Sequence, residues 1–373
     1  MKIGIDARFY NESGVGRYLR NLIKSLQVLD KKNQYYILLL KKDYDEFTET
    51  KNFKKTLADF KWYGFAEQFN LPKLLRQFNL DLVHFPHFNV PIFYTGQFVV
   101  TIHDLIHQHR HMSQATTLNP FTFKIKQIGY QKVFKTAISK SQKILVPSQS
   151  VRQLLTAEWN ADRKKIIVTP EAVDDNIFKI ADKMPKTEYE KVLNKFKIRK
   201  PYLFYVGNAH PHKNVEGLIK AFLIIQQKYS QLKLVLSGYD HYFWQRLKQE
   251  NQHKGIIYTG FISDDELVAL YKGAAMFVLP SFEEGFGIPV LEAMACECPV
   301  IASNAGSLPE VGGEACLYFD PDERRGDMVE KISKVLNDGG LRQQLVEKGL
   351  KRCKEFSWHK LAQKTLEVYL KCA

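Results

Sequence analysis

Two carboxylates, Glu284 and Glu292, stand eight positions apart in the stretch PSFEEGFGIPVLEAM from Pro280 to Met294. Between them a glycine turn, Gly285-Phe286-Gly287, leads from Ile288 into a helical pattern, with Pro289 where a missing N–H costs nothing. A turn of this kind aims main-chain N–H groups at an anion. One site can then take a phosphate on the turn and hydroxyl groups on the carboxylates. Three further constellations bear on it. Lys213, with Asn214, stands at a helix entry after an apolar run ending at Val206. An ammonium there offers a point charge to a phosphate, although an ordinary surface lysine has the same signature. Gly14-Val15-Gly16 opens a helix near the amino end, and Gly16 permits close backbone approach, although many glycine turns are only turns. His103 and Asp104 end a β-run through Ile102, and His103 either bonds a ligand hydroxyl or a developing charge, or is structural.

Other chemistries lack their residues. His107, His109 and His111 follow at spacings of two, with His84 and His87 before them, but without acidic partners this is a poor metal site, and none is expected. Cys296 and Cys298 have no second ligand pair at zinc spacing and read as small buried residues. The glycines at 14 and 16 lack the full dinucleotide fingerprint, and there is no P-loop or nucleophile elbow.

The elements that position these groups alternate along the chain. Apolar runs predict strands at Ile3–Ile5, Tyr36–Leu40, Leu82–Phe85, Phe98–Ile102 and Lys143–Pro147. A second set lies at Tyr202–Val206, Lys233–Ser237, Ile256–Tyr258, Phe277–Leu279 and Val300–Ala302. Helical spacing marks Val15–Leu26, Val215–Lys228, Asp264–Gly273, Arg325–Asn337 and the closing Trp358–Lys371. Such alternation means parallel sheets covered by helices, and two sets mean an α/β chain of two doubly wound domains. Ligands in such sheets bind beyond the carboxyl ends of strands. The division is expected in the charged, weakly patterned stretch from Asp174 to Pro201, giving domains at 1–178 and 179–357 with a final helix at 358–373.

The 373 residues suffice for two cores, and 45% hydrophobic with 25% charged residues is the balance of a soluble globular protein. No apolar run approaches the roughly 18 residues of a membrane span, and the start MKIGIDARFY is not a signal peptide. Five cysteines, an odd number late in the chain, fit a reducing cytoplasm better than a secreted disulfide framework. The net charge of +14 is uneven: residues 1–180 hold 27 Lys and Arg against 16 Asp and Glu. No acid occurs in 105–157, where basic residues interleave with apolar and aromatic ones. That mix suits an anionic membrane surface or a solvated helix face beside a core face. No nucleic-acid fold motif accompanies it, so no nucleic-acid partner is expected.

These residues together resemble the family 4 retaining glycosyltransferases of two-domain GT-B fold. The Glu284-to-Glu292 block carries the resemblance most strongly. Support comes from IGIDAR with Gly14 to Tyr18, His84-Phe-Pro-His87, Thr101 to Asp104, Gly207 to Asn214, Gly260-Phe261 with Glu266-Leu267, and Ser303 to Glu310. The neighbourhoods of His84 and His103 look most like mannosyltransferases of surface-polysaccharide pathways. The resemblance implies two Rossmann-like domains facing a cleft and a last helix that crosses back to the first. It implies a nucleotide-sugar donor, best guess GDP-mannose, a glycan or lipid-linked acceptor, and no cofactor or metal. By motif position, Glu284 and the backbone of Gly285, Phe286, Gly287 and Ile288 would hold the sugar, and Lys213 the distal phosphate. Glu292 would hold the ribose, and Phe261 with Ile262 would border the base. His103 would meet the sugar, and Gly14 and Gly16 would face phosphates or acceptor. His103, Glu284 and Lys213 would be the catalytic set. Many members carry arginine where this chain has Asn208 in the donor-binding turn, so His210 or His212 would assist Lys213. Glu297 stands where the family usually has glycine. A cytoplasmic enzyme, peripheral at the membrane's inner face, is expected. Epimerases and phosphorylases share the fold and stay open as alternatives, as does a non-catalytic basic binding protein.

Overall fold

The computed structural model describes residues 1–106, 120–322 and 327–372. The chain divides into two units, Met1–Glu171 with Ser357–Ala373, and Ala172–Phe356. In the first unit β1 (Lys2–Asp6), β2 (Gln34–Leu39), β3 (Phe53–Leu57), β4 (Leu82–Phe85), β5 (Phe98–Thr101), β6 (Lys143–Val146) and β7 (Ile166–Val168) form one sheet. Its order is β3-β2-β1-β4-β5-β6-β7, and every pairing is parallel. In the second unit β8 (Tyr202–Val206), β9 (Lys233–Ser237), β10 (Ile256–Gly260), β11 (Met276–Leu279), β12 (Val300–Ser303) and β13 (Cys316–Phe319) follow the same plan. They are ordered β10-β9-β8-β11-β12-β13, again all parallel. The strand order reverses between β1 and β4 and between β8 and β11, and the crevice at such a point is where open α/β sheets bind ligands.

Central strands are buried along their whole length because helices cover both faces: every residue of β4, β5, β11 and β12 is buried, and His84, Thr101 and Ser303 are their polar members. Helix Ser13–Leu29 turns Tyr18, Leu19, Leu22, Ile23 and Leu26 into the core at helical spacing. Helix Asp264–Gly273 starts with a capping box, Ser263 and Glu266 each satisfying the other's backbone N–H.

Three strands of the fold, β3, β7 and β13, are absent from the expected set. Each is the outermost strand of its sheet. Lys54 and Lys55 dilute the apolar signal of β3, whereas β7 (IIV) and β13 (CLYF) are apolar runs of only three and four residues. The stretch after Asp174, expected as a weakly patterned break, folds into helices Asp175–Lys183 and Lys186–Lys195. Ile177, Ala181 and Leu193 enter the second core, so the division falls at Glu171, earlier than the 178 read from composition.

The closing helix Trp358–Lys371 belongs to the first unit, as expected, and is capped by Ser357. A buried polar chain fixes it there. Tyr369 Oη lies 2.6 Å from His84 Nδ1, His84 Nε2 lies 2.8 Å from Thr101 Oγ1, and Thr101 Oγ1 lies 3.0 Å from Tyr18 Oη. Burial, aided by the charge of His103, lowers the His84 pKa to about 3, so His84 is a neutral link between helices and sheet. All five cysteines are free and buried. Among the described residues no helix is long and apolar enough to cross a membrane, and no three His, Cys, Asp or Glu side chains gather to hold a metal ion. His107, His109 and His111 lie outside the described residues, as do residues 107–119 of the acid-free run.

Candidate functional site

The second unit brings Lys213 and Glu284 together at its strand-order reversal. β8 runs into a 3-10 turn, Pro211–Lys213, after which Asn214 takes the left-handed conformation with φ 53° and opens helix Val215–Lys228. β11 runs into the loop at Ser281. Two bonds tie these connections: Phe282 N–H donates to His212 O at 2.8 Å, and Asn214 Nδ2 donates to Pro280 O at 3.1 Å. Across the tie Lys213 Nζ lies 2.7 Å from Glu284 Oε1, which also accepts from Ser281 Oγ at 2.7 Å. Glu284 is buried and the Lys213 side chain is 17% exposed, so the pair is shielded but reachable from the carboxyl end of the sheet.

The glycine turn is braced from below. Ser307 Oγ donates to Phe286 O at 2.8 Å and Glu284 O at 3.1 Å, taking up carbonyls while the chain climbs to the helix. Gly287 caps helix Ile288–Ala295 at φ 100°, in the left-handed region that favours glycine. In the first turn of that helix Pro289 has no N–H and Val290 N–H donates to Gly287 O at 3.0 Å, which leaves the Ile288 amide at its mouth, and Lys213 stands beside the same loop. Anion-binding groups of three kinds, a helix-mouth amide, an ammonium and a glycine turn, thus converge on one sheet end.

Gly306 decides how closely the brace approaches. Its φ is +57°, and a Cβ there would sit 2.6 Å from Glu284 O. Gly306→Ala is therefore expected to cost about 1–3 kcal/mol in backbone strain and to displace the Glu284 loop. Urea unfolding read beside ligand affinity checks it: wild-type values of both would show that the loop tolerates the change.

The other expected residues of this unit fall around that centre. Glu292 lies on the buried side of its helix, 3% exposed, with Oε2 accepting from Tyr271 Oη at 3.4 Å. Phe261 is 75% exposed beyond β10, edge-on to Tyr239 at 6.3 Å, while Ile262 packs on the core. Asn208 is exposed, its carbonyl accepting from Tyr205 Oη at 2.7 Å. The rings of His210 and His212 stack at 5.9 Å just before Lys213.

In the first unit Gly16 has a local reason to be glycine: a Cβ would lie 2.6 Å from Tyr10 O and 2.9 Å from Phe9 O. Gly14 faces open space. His103 is held at both nitrogens, Nδ1 at 2.9 Å from Glu171 Oε1 and Nε2 at 2.9 Å from Pro86 O. A carbonyl only accepts, so Nε2 carries a proton, and the Glu171 carboxylate opposite Nδ1 favours the doubly protonated ring. Its pKa is raised accordingly: burial favours the neutral ring, but the hydrogen bond and charge of Glu171, with the Pro86 carbonyl, outweigh it. Sequence reading missed Glu171 and gave no role to Ser281, Gly306 or Ser307, although these three lie in stretches that carry the resemblance. Glu171 follows β7, an apolar run of only three residues.

Comparisons with known proteins agree with the two-domain fold. The model of "Glycosyl transferases group 1" matches residues 186–352, and that of "Glycosyltransferase Family 4" matches residues 13–177. The chain is 28% identical to the O-antigen chain mannosyltransferase B of Escherichia coli over 96% of each chain. Among solved structures, sucrose-phosphate synthase from Thermosynechococcus elongatus superposes with a TM-score of 0.77 at 19% identity, covering 100% of this chain and 98% of the other. HepE from Anabaena, crystallised with UDP-glucose, gives 0.77 at 15% identity with 100% of both chains covered.

Proposed function

Because the chain belongs to the family 4 glycosyltransferases, we propose that it moves a sugar from a nucleotide-sugar donor to a hydroxyl of a growing or lipid-linked glycan. The name of its mannosyltransferase relative supports mannose as the sugar, with GDP-mannose as the donor and a surface polysaccharide as the product. The observation that carries the proposal is the shielded Lys213–Glu284 pair beside the Gly285–Ile288 turn.

In the proposed reaction the bond between the sugar anomeric carbon and the diphosphate oxygen breaks, and the departing diphosphate gains charge. The Lys213 ammonium and the amides of the turn stabilise that charge as it develops. Glu284 both orients Lys213 and accepts hydrogen bonds from donor-sugar hydroxyls, and Glu292 serves the ribose. The acceptor oxygen bonds to the anomeric carbon on the face the diphosphate leaves, and its proton passes to the departing phosphate oxygen. Configuration is then retained, and this route calls for no metal ion. Purified protein given GDP-, UDP-, ADP- and dTDP-sugars with a mannosyl acceptor tests it, with the product anomer read by NMR. Donor altered without acceptor would indicate an epimerase instead, and a requirement for inorganic phosphate a phosphorylase.

The proposal keeps His103 as a catalytic group that meets the sugar, acting as an imidazolium. A raised histidine pKa preserves the charge below that pKa and loses it as the pH rises through it. Glu171→Gln keeps an acceptor opposite Nδ1 and removes the negative charge. The alkaline fall in kcat is then expected about 1 pH unit lower, and an unmoved alkaline limb would show that the charge is not used.

The protein is also proposed to work at the inner face of the cytoplasmic membrane, through the acid-free run 105–157. The charge supports this: Lys132, Lys135, Lys140, Lys143 and Arg152 lie in its described part, and Lys140 and Lys143 bond backbone carbonyls, to Ile92 and Lys164. Flotation with anionic vesicles but not with neutral ones is expected.

A further inference from the structure

The chain passes between its two units twice, after Glu171 and after Phe356. Both crossings bear on His103. At the first, the Glu171 carboxylate lies 2.9 Å from His103 Nδ1. At the second, the consecutive residues Phe356, Ser357 and Trp358 have the glycine turn at one end and the support of His103 at the other. Phe356, the last residue of the second unit, meets Phe286 of the Gly285–Ile288 turn at a steep angle, with centroids 5.6 Å apart. The Arg352 guanidinium lies 4.9 Å from the Phe356 centroid and is itself fixed, its Nε donating to Val311 O at 2.9 Å. Phe286 is buried, and its carbonyl is taken up by Ser307.

Ser357 leaves little slack between the two ends. Its Oγ accepts from Lys360 N–H at 3.5 Å and its carbonyl from Leu361 N–H at 3.0 Å, so the residue after Phe356 is already the cap of the closing helix. Trp358 is the first residue of that helix and is buried. Its ring meets Tyr18 at 68° with centroids 6.1 Å apart. Tyr18, also buried, meets the His103 ring at 82° and 4.8 Å, and its hydroxyl is held on Thr101 Oγ1. Glu171 and Pro86 O fix the two nitrogens of His103, and Tyr18 fixes the tilt of its ring. Rings packed at interior density shift together rather than deform one by one. The contact of Phe356 with Phe286 lies within the second unit, those of Trp358, Tyr18 and His103 lie within the first, and the chain itself joins them.

We propose that Tyr18 and Trp358 are positioning residues for His103, and that the crossing peptide 356–358 passes occupancy of the glycine turn to that histidine. This rests on the glycosyl-transfer reading and adds how the turn that holds the leaving group and the group that meets the sugar are kept in step. Contiguity names the route, and the coupling itself is what the experiment measures. NMR of the full chain with isotope-labelled histidine reads it without turnover, the His103 ring signals being those missing from His103→Gln. GDP, UDP, ADP and dTDP are added in turn. Binding of any one is expected to move the wild-type His103 signals, and at saturation the movement should fall by about half or more in Phe356→Leu and in Trp358→Leu. In turnover, Tyr18→Leu and Trp358→Leu should each lower kcat about tenfold with the donor KM within about twofold of wild type, while Trp358→Phe, which keeps a ring against Tyr18, should retain most of kcat. A bound diphosphate that leaves the wild-type His103 signals in place overturns the link whether or not a variant folds, as does equal movement in the wild type and both leucine variants. Wild-type kcat in Tyr18→Leu and Trp358→Leu overturns the positioning role. Failure of the transfer reading looks different, with no diphosphate bound by the wild type at all.

Discussion

Replacing Lys213 with alanine is expected to lower kcat for sugar transfer by about 10²–10³-fold. The ammonium lies 2.7 Å from Glu284 and beside the turn proposed to hold the diphosphate. Charge grows on that group as the glycosidic bond breaks, so the lost interaction weighs more on the transition state than on donor binding. The single variant also strands the Glu284 carboxylate with Ser281 as its remaining bonded partner of that pair, which destabilises the loop. The double change Lys213→Ala/Glu284→Gln removes both charges. Its melting temperature should recover toward wild type while its turnover stays low. A folded Lys213→Ala protein with kcat within about threefold of wild type would remove the lysine from the mechanism.

Arg8→Met is expected to cost the largest stability of any single change considered, about 3–5 kcal/mol. Arg8 has no exposed surface and neutralises two carboxylates that are themselves buried. Methionine fills part of the volume but leaves Asp6 and Glu67 without their cation and Phe60 O without its donor. Two controls follow from that cause. Asp6→Asn and Glu67→Gln added to Arg8→Met should restore much of the loss. The deficit of the single variant should also shrink as the pH falls and the stranded carboxylates take up protons. A deficit independent of pH would mean that packing, rather than charge, is what Arg8 supplies.

Much of this was legible in the chain because buried parallel strands must be apolar on both faces. β4, β8 and β9 lie where their apolar runs predicted, and helices Val215–Lys228, Asp264–Gly273 and Trp358–Lys371 match residue for residue. The edge strands β3, β7 and β13 were not legible: Lys54 and Lys55 interrupt β3, and β7 and β13 are apolar runs of only three and four residues. The Glu284 to Glu292 block was legible because its glycines and proline demand a turn into a helix. The partners of the site were not: Ser307 and Gly306 brace the Glu284 loop from 20 or more residues away in sequence, and Glu171 meets His103 across 68. Such pairings depend on sheet order, which residue spacing alone does not contain. His84 shows the opposite case, a histidine in a motif that the fold uses as a buried link to Tyr369.

The central claim is that the amides of the Gly285–Ile288 turn, with Lys213 and Glu284, hold the diphosphate end of an activated sugar. A crystal structure of the full chain with the nucleoside diphosphate that most raises its melting temperature tests this directly. The account predicts the terminal phosphate within hydrogen-bond distance of Lys213 Nζ and of at least one amide of the turn. A diphosphate bound elsewhere on the chain, with Lys213 and Glu284 still paired and untouched, would contradict it.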